Sequence, residues 1–261
     1  MTWLRTLGQT GIDVSALGLG TVKFGRNQGM KYPQGYDLPG DKTVRDLLAM
    51  AHDHQVNLID TAPAYGCSEE RLGKLLTGPR QDWVIVSKAG EIFDGQQSRF
   101  DFSAKHIQMS VERSLKRLRT DYLDVLLIHS NGEDQQIIEQ HRVFDTLAEL
   151  KQRGLIRAGG MSTKTVSGGL ATTEQSDVAM VTYHPGYTDE KTVIDHALKQ
   201  HKGVLVKKGF ASGHLKQLSE QDDPIMAAMH FVLGHAGVSS LIAGTINPKH
   251  FEQNILAARS V

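Results

Sequence analysis

The chain has 261 residues, enough to bury one large hydrophobic core. Its 29 basic and 29 acidic residues cancel, so the bulk charge does not indicate binding to nucleic acid or to an anionic membrane. No apolar run is long enough for a membrane span or a signal peptide, which predicts a cytoplasmic protein, and the single cysteine excludes an internal disulfide.

The segment before the first long apolar run indicates a short hairpin. Residues 5–14 turn near Gly8 and Gly11, and we expect this hairpin to cover the floor of the fold. Eight apolar, β-branched runs follow, at residues 15–21, 57–61, 83–88, 124–129, 156–162, 178–184, 203–208 and 239–245. Segments of helical spacing separate them, which is the pattern of parallel strands joined by crossover helices.

Eight such units predict an α/β fold, a closed (β/α)8 TIM barrel, as a single domain over residues 1–261. An open doubly wound sheet is less consistent with the chain, because the first strand lacks the third glycine of a dinucleotide fingerprint at Lys23. Capping residues predict the helix ends: starts at Asp41, Ser103, Asp223-Pro224 and Asn247-Pro248, and a stop at Gly154.

Two connections, residues 23–40 and 91–102, are longer than a compact barrel requires. Both follow the carboxyl ends of strands, where barrel enzymes build their pockets, so we expect them to form pocket walls. The alternative is a surface loop with a few aromatic side chains packed beneath it.

Four polar residues stand at or just after the ends of apolar strands: Asp60, Tyr65, Lys88 and His129. A charge in such a place is costly unless it is paired or used, and the carboxyl ends of barrel strands meet at one mouth. We therefore expect one shared site. Asp60 and Lys88 alone would suggest a structural ion pair, and His129 alone a satisfied core histidine.

These four side chains suit the chemistry of a carbonyl that receives a hydride. The oxygen gains negative charge and needs a proton donor, for which Tyr65 is suitable. A free tyrosine has a pKa of about 10, and an adjacent ammonium, Lys88, favours its phenolate. Asp60 would pair with Lys88, and His129 would orient the carbonyl or relay a proton.

The chain resembles the aldo-keto reductase family over nearly its whole length. The most specific matching segments are Asp60-Thr-Ala-Pro-Ala-Tyr65-Gly66, with Ser68-Glu-Glu-Arg-Leu-Gly73 after it, and Asp121-Tyr-Leu-Asp124 leading into His129. The resemblance implies a (β/α)8 barrel with a short C-terminal tail, catalytic Asp60, Tyr65, Lys88 and His129, and a nicotinamide dinucleotide bound without metal. Many relatives close the pocket with a long C-terminal loop that this chain is expected to lack, which predicts an open pocket with broad aldehyde acceptance.

The resemblance further implies that NADPH lies across the strand ends, with NADH as the other possibility. Its implied contacts are Gly20, Thr21, Ser162, Thr163, Met180, Lys207, Phe210, Ser212, Gly244, Thr245, Asn247, His250 and Asn254. At several of these the chain departs from the family. Met180 replaces a glutamine, Lys207 replaces the tyrosine that stacks on the nicotinamide, and Gly244 and His250 replace basic residues at the 2′-phosphate.

The expected function is an NAD(P)(H)-dependent oxidoreductase, a monomer, that interconverts aldehydes or ketones and alcohols with Tyr65 as general acid and base. One alternative is a non-catalytic dinucleotide-binding sensor on the same fold. The other is a barrel metallohydrolase, which the spacing of His52 and His54 on a predicted helix disfavours.

Overall fold

The computed structural model describes residues 2–29, 35–213 and 223–261. Its strands are β1 (Leu4–Thr6), β2 (Asp13–Ser15), β3 (Leu17–Gly20), β4 (Leu58–Asp60), β5 (Val84–Ala89), β6 (Glu91–Phe93), β7 (Ser98–Phe100), β8 (Leu123–His129), β9 (Ile156–Ser162), β10 (Val178–Thr182), β11 (Gly203–Lys207) and β12 (Ser240–Ala243). Its helices are α1 (Val22–Gly25), α2 (Asp41–Asp53), α3 (Ser68–Leu75), α4 (Ala104–Leu118), α5 (Asp134–His141), α6 (Val143–Gln152), α7 (Val166–Gln175), α8 (Lys191–Lys199), α9 (Pro224–Leu233) and α10 (Pro248–Arg259).

Eight strands close into a parallel barrel in the order β3-β4-β5-β8-β9-β10-β11-β12, and β12 pairs with β3. Each contains part of one of the eight predicted runs, so the barrel prediction is confirmed. The runs are almost wholly buried because helices cover the outside of the barrel while side chains fill its interior. No helix in the described ranges is long and apolar enough to cross a membrane.

The predicted helix ends follow local capping chemistry with one exception. Ser103 accepts a hydrogen bond from the His106 amide (3.2 Å), and Asp223 and Asn247 cap α9 and α10. Gly154 has a φ of +71° just after α6. The predicted Asp41 cap is wrong, because Gly40 holds the cap position of α2 and Asp41 is the first helical residue. There the negative charge of Asp41 interacts favourably with the helix dipole, and the carboxylate pairs with Arg71.

The predicted N-terminal hairpin is the antiparallel pair β1 and β2. Its turn inserts Leu7 and Ile12, with Val14 beside them, into the core cluster inside the barrel, together with residues such as Val125 and Leu205. The hairpin therefore closes the barrel floor. A cavity lies at the opposite end, where the parallel strands finish.

The two long connections differ in structure. Residues 91–102 contain a small antiparallel hairpin of β6 and β7, with Phe102 buried beneath it. Residues 30–34 of the first connection lie outside the described part, but Arg26 and Gly29 line the cavity, as does Glu91 of the hairpin. Both connections contribute to the cavity wall, as expected.

Candidate active site

The cavity at the carboxyl ends of the strands has a volume of about 660 Å³. It is lined by Asp60 at the end of β4, Tyr65 in the following turn, Lys88 on β5 and His129 at the end of β8. β4, β5 and β8 are consecutive in the barrel, and their parallel direction brings these side chains to one mouth. The four predicted residues therefore lie in a single cavity.

Asp60 and Lys88 form a buried ion pair on neighbouring strands. The Lys88 Nζ lies 2.5 Å from Asp60 Oδ1 and also donates to the Thr61 carbonyl oxygen at 2.9 Å. Both side chains are nearly inaccessible. In such a place the attraction between the two charges is strong, and an unpaired lysine would tend to lose its proton.

Tyr65 lies between the lysine and the histidine. The Lys88 Nζ is 4.8 Å from the centre of the Tyr65 ring, and the His129 ring meets it nearly edge-on with centroids 6.2 Å apart. The turn that carries Tyr65 depends on Gly66, which has a φ of +62°, and a Cβ there would overlap the carbonyl oxygen of Gly25. The end of α1 and the Tyr65 turn can therefore touch through their backbones.

Glu91 is a member of the site that the sequence did not indicate. Its Oε2 lies 2.9 Å from Nδ1 of His129, while its Oε1 accepts hydrogen bonds from Arg26 (3.1 Å) and Ser98 (2.5 Å). Although burial alone would raise it, these partners hold the pKa of Glu91 well below its usual range. Burial lowers the pKa of His129, and the Glu91 carboxylate opposes this change.

The implied cofactor contacts fall into two groups. Gly20, Thr21, Ser162, Met180, Lys207 and Gly244 line the cavity, and Thr163 lies buried beside Ser162. Outside the lining are the other described contacts: Phe210 packs on the core, Thr245 and Asn254 are buried, Asn247 caps α10, and His250 is exposed on its first turn. The side chain of Ser212 lies outside the described residues.

Lys207 donates hydrogen bonds to two polar groups at the mouth of the barrel. Its Nζ donates to Ser162 Oγ (2.9 Å) and to the Thr163 carbonyl oxygen (2.5 Å). Burial lowers the pKa of Lys207 to about 7, despite the nearby carboxylate of Glu190. Burial likewise raises the pKa of Glu190. The lysine therefore occupies acceptors of Ser162 and Thr163 just where β9 ends.

The residues present fit a nicotinamide dinucleotide. Thr163 Oγ1 and Glu190 Oε2 are buried without a hydrogen-bond partner in the described ranges, and both belong to the region around Lys207. Lys164 and Lys208 add positive charge to the same wall of the cavity, which suits a phosphate. Within those ranges, no cluster of three or more histidine, cysteine or acidic side chains could hold a metal.

Comparison with known proteins agrees with this geometry. Residues 16–227 match the family model of the aldo/keto reductase family. A putative aldo-keto reductase from Pseudomonas aeruginosa of known structure is 53% identical, with a TM-score of 0.88 over 98% of this chain and 94% of that one.

Two curated relatives match a shorter part. L-galactose dehydrogenase of Arabidopsis thaliana is 37% identical over 61% of this chain and 48% of its own. The NADH-specific methylglyoxal reductase of Escherichia coli is 33% identical over 59% and 50%. The chain thus spans about half the length of these curated relatives. With the family model covering most of its length, the chain belongs to the aldo/keto reductase family of oxidoreductases, whose members use nicotinamide cofactors.

Proposed function

We propose that the protein interconverts aldehydes or ketones and alcohols, with Tyr65 as the general acid and base. The observation that carries this proposal is the meeting of Tyr65 with the Asp60–Lys88 ion pair and His129 in one cavity. Family membership supports the reaction class. A structural ion pair alone would not need a phenol and an imidazole beside it.

Each side chain has a separate task in the proposed mechanism. When bound, the nicotinamide supplies or accepts the hydride. Tyr65 gives its phenolic proton to the carbonyl oxygen, which becomes negative as the hydride arrives, and takes the proton back in the reverse direction. The ammonium of Lys88 stabilises the phenolate, and Asp60 stabilises that ammonium in its charged form. His129, whose ring meets the phenol ring edge-on, orients the oxygen.

The proposed cofactor site has two parts, one for the nicotinamide end and one for a phosphate group. Ser162, Thr163 and Lys207 would hold the nicotinamide end, since they bring donors and acceptors together at the wall of the cavity that Tyr65 also lines. The N-terminus of α10, behind Asn247 and Pro248, suits a phosphate group. We propose NADPH as the cofactor. NADH is the second candidate, because Gly244 has no side chain to grip a 2′-phosphate and the relative from Escherichia coli is named as NADH-specific.

A turnover panel followed by cofactor absorbance near 340 nm tests this proposal. We expect NADPH-dependent reduction of 4-nitrobenzaldehyde or methylglyoxal, or NADP⁺-dependent oxidation of a sugar such as L-galactose, and each substrate is also run with the non-phosphorylated cofactor. Cofactor binding without turnover of any substrate would favour the alternative of a dinucleotide sensor. If the protein neither binds a cofactor nor turns over a substrate, the enzyme proposal and the sensor alternative are both contradicted.

A further inference from the structure

The contact between Glu91 and His129 limits what the imidazole can do. Glu91 Oε1 is occupied by Arg26 and Ser98, so the carboxylate cannot turn freely, and Oε2 is the oxygen left for His129. Arg26 is itself held: it donates to the Ala64 carbonyl oxygen (3.1 Å) and its guanidinium lies 3.6 Å from the centre of the Phe93 ring. The carboxylate is therefore a fixed feature of the β6–β7 hairpin.

The proton on the histidine follows from this fixed carboxylate. Nδ1 is buried and lies 2.9 Å from Oε2, but the approach is too far from a straight line to count as a hydrogen bond, and no other group in the described part of the chain makes one to Nδ1. A lone pair on Nδ1 would face the negative charge of the carboxylate at this distance, so the geometry favours a proton on Nδ1 over one on Nε2. The His129 side chain keeps 19% of its surface open and lines the cavity, which leaves Nε2 as the nitrogen that a ligand can reach.

We propose that Glu91 is a positioning residue that holds His129 in the Nδ1–H form, so that the neutral ring accepts a hydrogen bond at Nε2 and donates one only as imidazolium. This rests on the proposed function and refines the role of His129 in it. Neutral His129 suits the hydroxyl of an alcohol or hemiacetal, whereas protonated His129 suits the oxygen of a carbonyl.

Other charges around His129 act on the same balance. Lys88 on β5 and Lys207 on β11 disfavour the imidazolium, as burial does, while Glu91 on β6 favours it. Tyr65, which meets the ring edge-on, is a further titratable group in contact with it. The consequence is directional: carbonyl reduction should fall as the pH rises through the pKa of His129, and alcohol oxidation should not fall there.

The test is the protonation state of His129, observed by two-bond ¹H–¹⁵N correlation NMR and assigned with His129→Asn. At a pH where the ring is neutral, the wild-type spectrum should show the Nδ1–H form. In Glu91→Gln the amide can donate as well as accept, so the Nε2–H form should appear and the titration of His129 should move to lower pH. Glu133→Gln, an exposed glutamate on a neighbouring loop, should change neither.

A neutral wild-type ring in the Nε2–H form would overturn the proposal, and so would a Glu91→Gln spectrum identical to that of the wild type. The wild-type spectrum decides the matter even if the variant does not fold. In steady-state kinetics, Glu91→Gln should reduce kcat/KM for reduction near neutral pH by about tenfold and move its pH profile, the cost of losing one charge-assisted contact. A failure of Tyr65 as the acid would leave the NMR result unchanged, so the two proposals can fail separately.

Discussion

The amine of Lys207 lies in a barrel mouth with little water to stabilise its charge. Its pKa is lowered to about 7 in the folded protein, whereas an unfolded chain binds that proton up to a pH of about 10. Between these values the unfolded state holds more protons than the folded state. The free energy of unfolding should therefore gain a contribution from Lys207 as the pH rises from about 7 to about 10.

Lys207→Met removes this contribution. Relative to the variant, the wild type should gain up to about 1.4 kcal/mol of stability for each pH unit in this window, measured by urea denaturation at several pH values. Lys199→Met, an exposed lysine near the end of α8, serves as the control and should follow the wild type. If the free energies of unfolding of the wild type and of Lys207→Met change equally with pH over this window, Lys207 keeps its proton in the folded protein.

The sequence was sufficient to predict that Asp60, Lys88 and His129 meet at the mouth. Asp60, Lys88 and His129 each end an apolar run, and the cost of burying an unused charge makes such a position informative. Glu91 comes just after β5, but nothing in the neighbouring sequence marks it as a site residue. Its partner His129 is 38 positions away, and the two meet only in the closed barrel. For the same reason, the sequence could not predict the hydrogen bonds of Lys207 to Ser162 at the end of β9 and to Thr163 just after it.

At the scale of elements, the turn between β4 and α3 sets the position of Tyr65. Gly66 and Gly11 both have a positive φ, but a Cβ on Gly66 would overlap the backbone of Gly25, whereas a Cβ on Gly11 would meet nothing within 4 Å. This pair separates the cost of the backbone conformation from the cost of steric overlap.

Gly11→Ala should therefore cost about 1 to 2 kcal/mol, the ordinary penalty of a left-handed alanine, with turnover unchanged. Gly66→Ala should destabilise the protein by more than this and also lower kcat, because relief of the overlap moves the Tyr65 turn. Thermal unfolding and steady-state turnover measure the two effects. Equal losses in the two variants would mean that the contact with Gly25 is unimportant.

Local signals explain why most element ends were predictable. Ser103, Asp223 and Asn247 each cap a helix through a side-chain oxygen, which is a short-range interaction. Asp41 was assigned wrongly by one position, because an acidic residue suits both the cap and the first helical turn. The β6–β7 hairpin inside the second long connection was not predicted, since each of its strands has only three residues and β7 is exposed.

In the barrel as a whole, the N-terminal hairpin covers the floor and the cavity lies at the mouth. Leu7 of the N-terminal hairpin is fully buried against the strands that form the barrel interior, while Leu4 of the same hairpin is 49% exposed. Stability and activity should therefore depend on opposite ends of the barrel. The monomeric state and the cytoplasmic location stay predictions.

Leu7→Ala leaves a cavity at the floor and should destabilise the protein by about 2 to 5 kcal/mol, with kcat nearly unchanged below the melting temperature. Leu4→Ala should cost no more than about 0.5 kcal/mol. Chemical denaturation with parallel activity assays checks both. A large loss of kcat in folded Leu7→Ala would show that the floor and the mouth are coupled.

The phenol of Tyr65 is the proton donor in the proposed reaction, and Tyr65→Phe removes that donor alone. The variant should lose about 10² to 10⁴ in kcat for aldehyde reduction while its cofactor dissociation constant, measured by fluorescence titration, stays close to that of the wild type. Tyr187→Phe, which removes another phenol from the same cavity, should keep its turnover. Aldehyde reduction by Tyr65→Phe at a rate near that of the wild type would show that Tyr65 is not the proton donor.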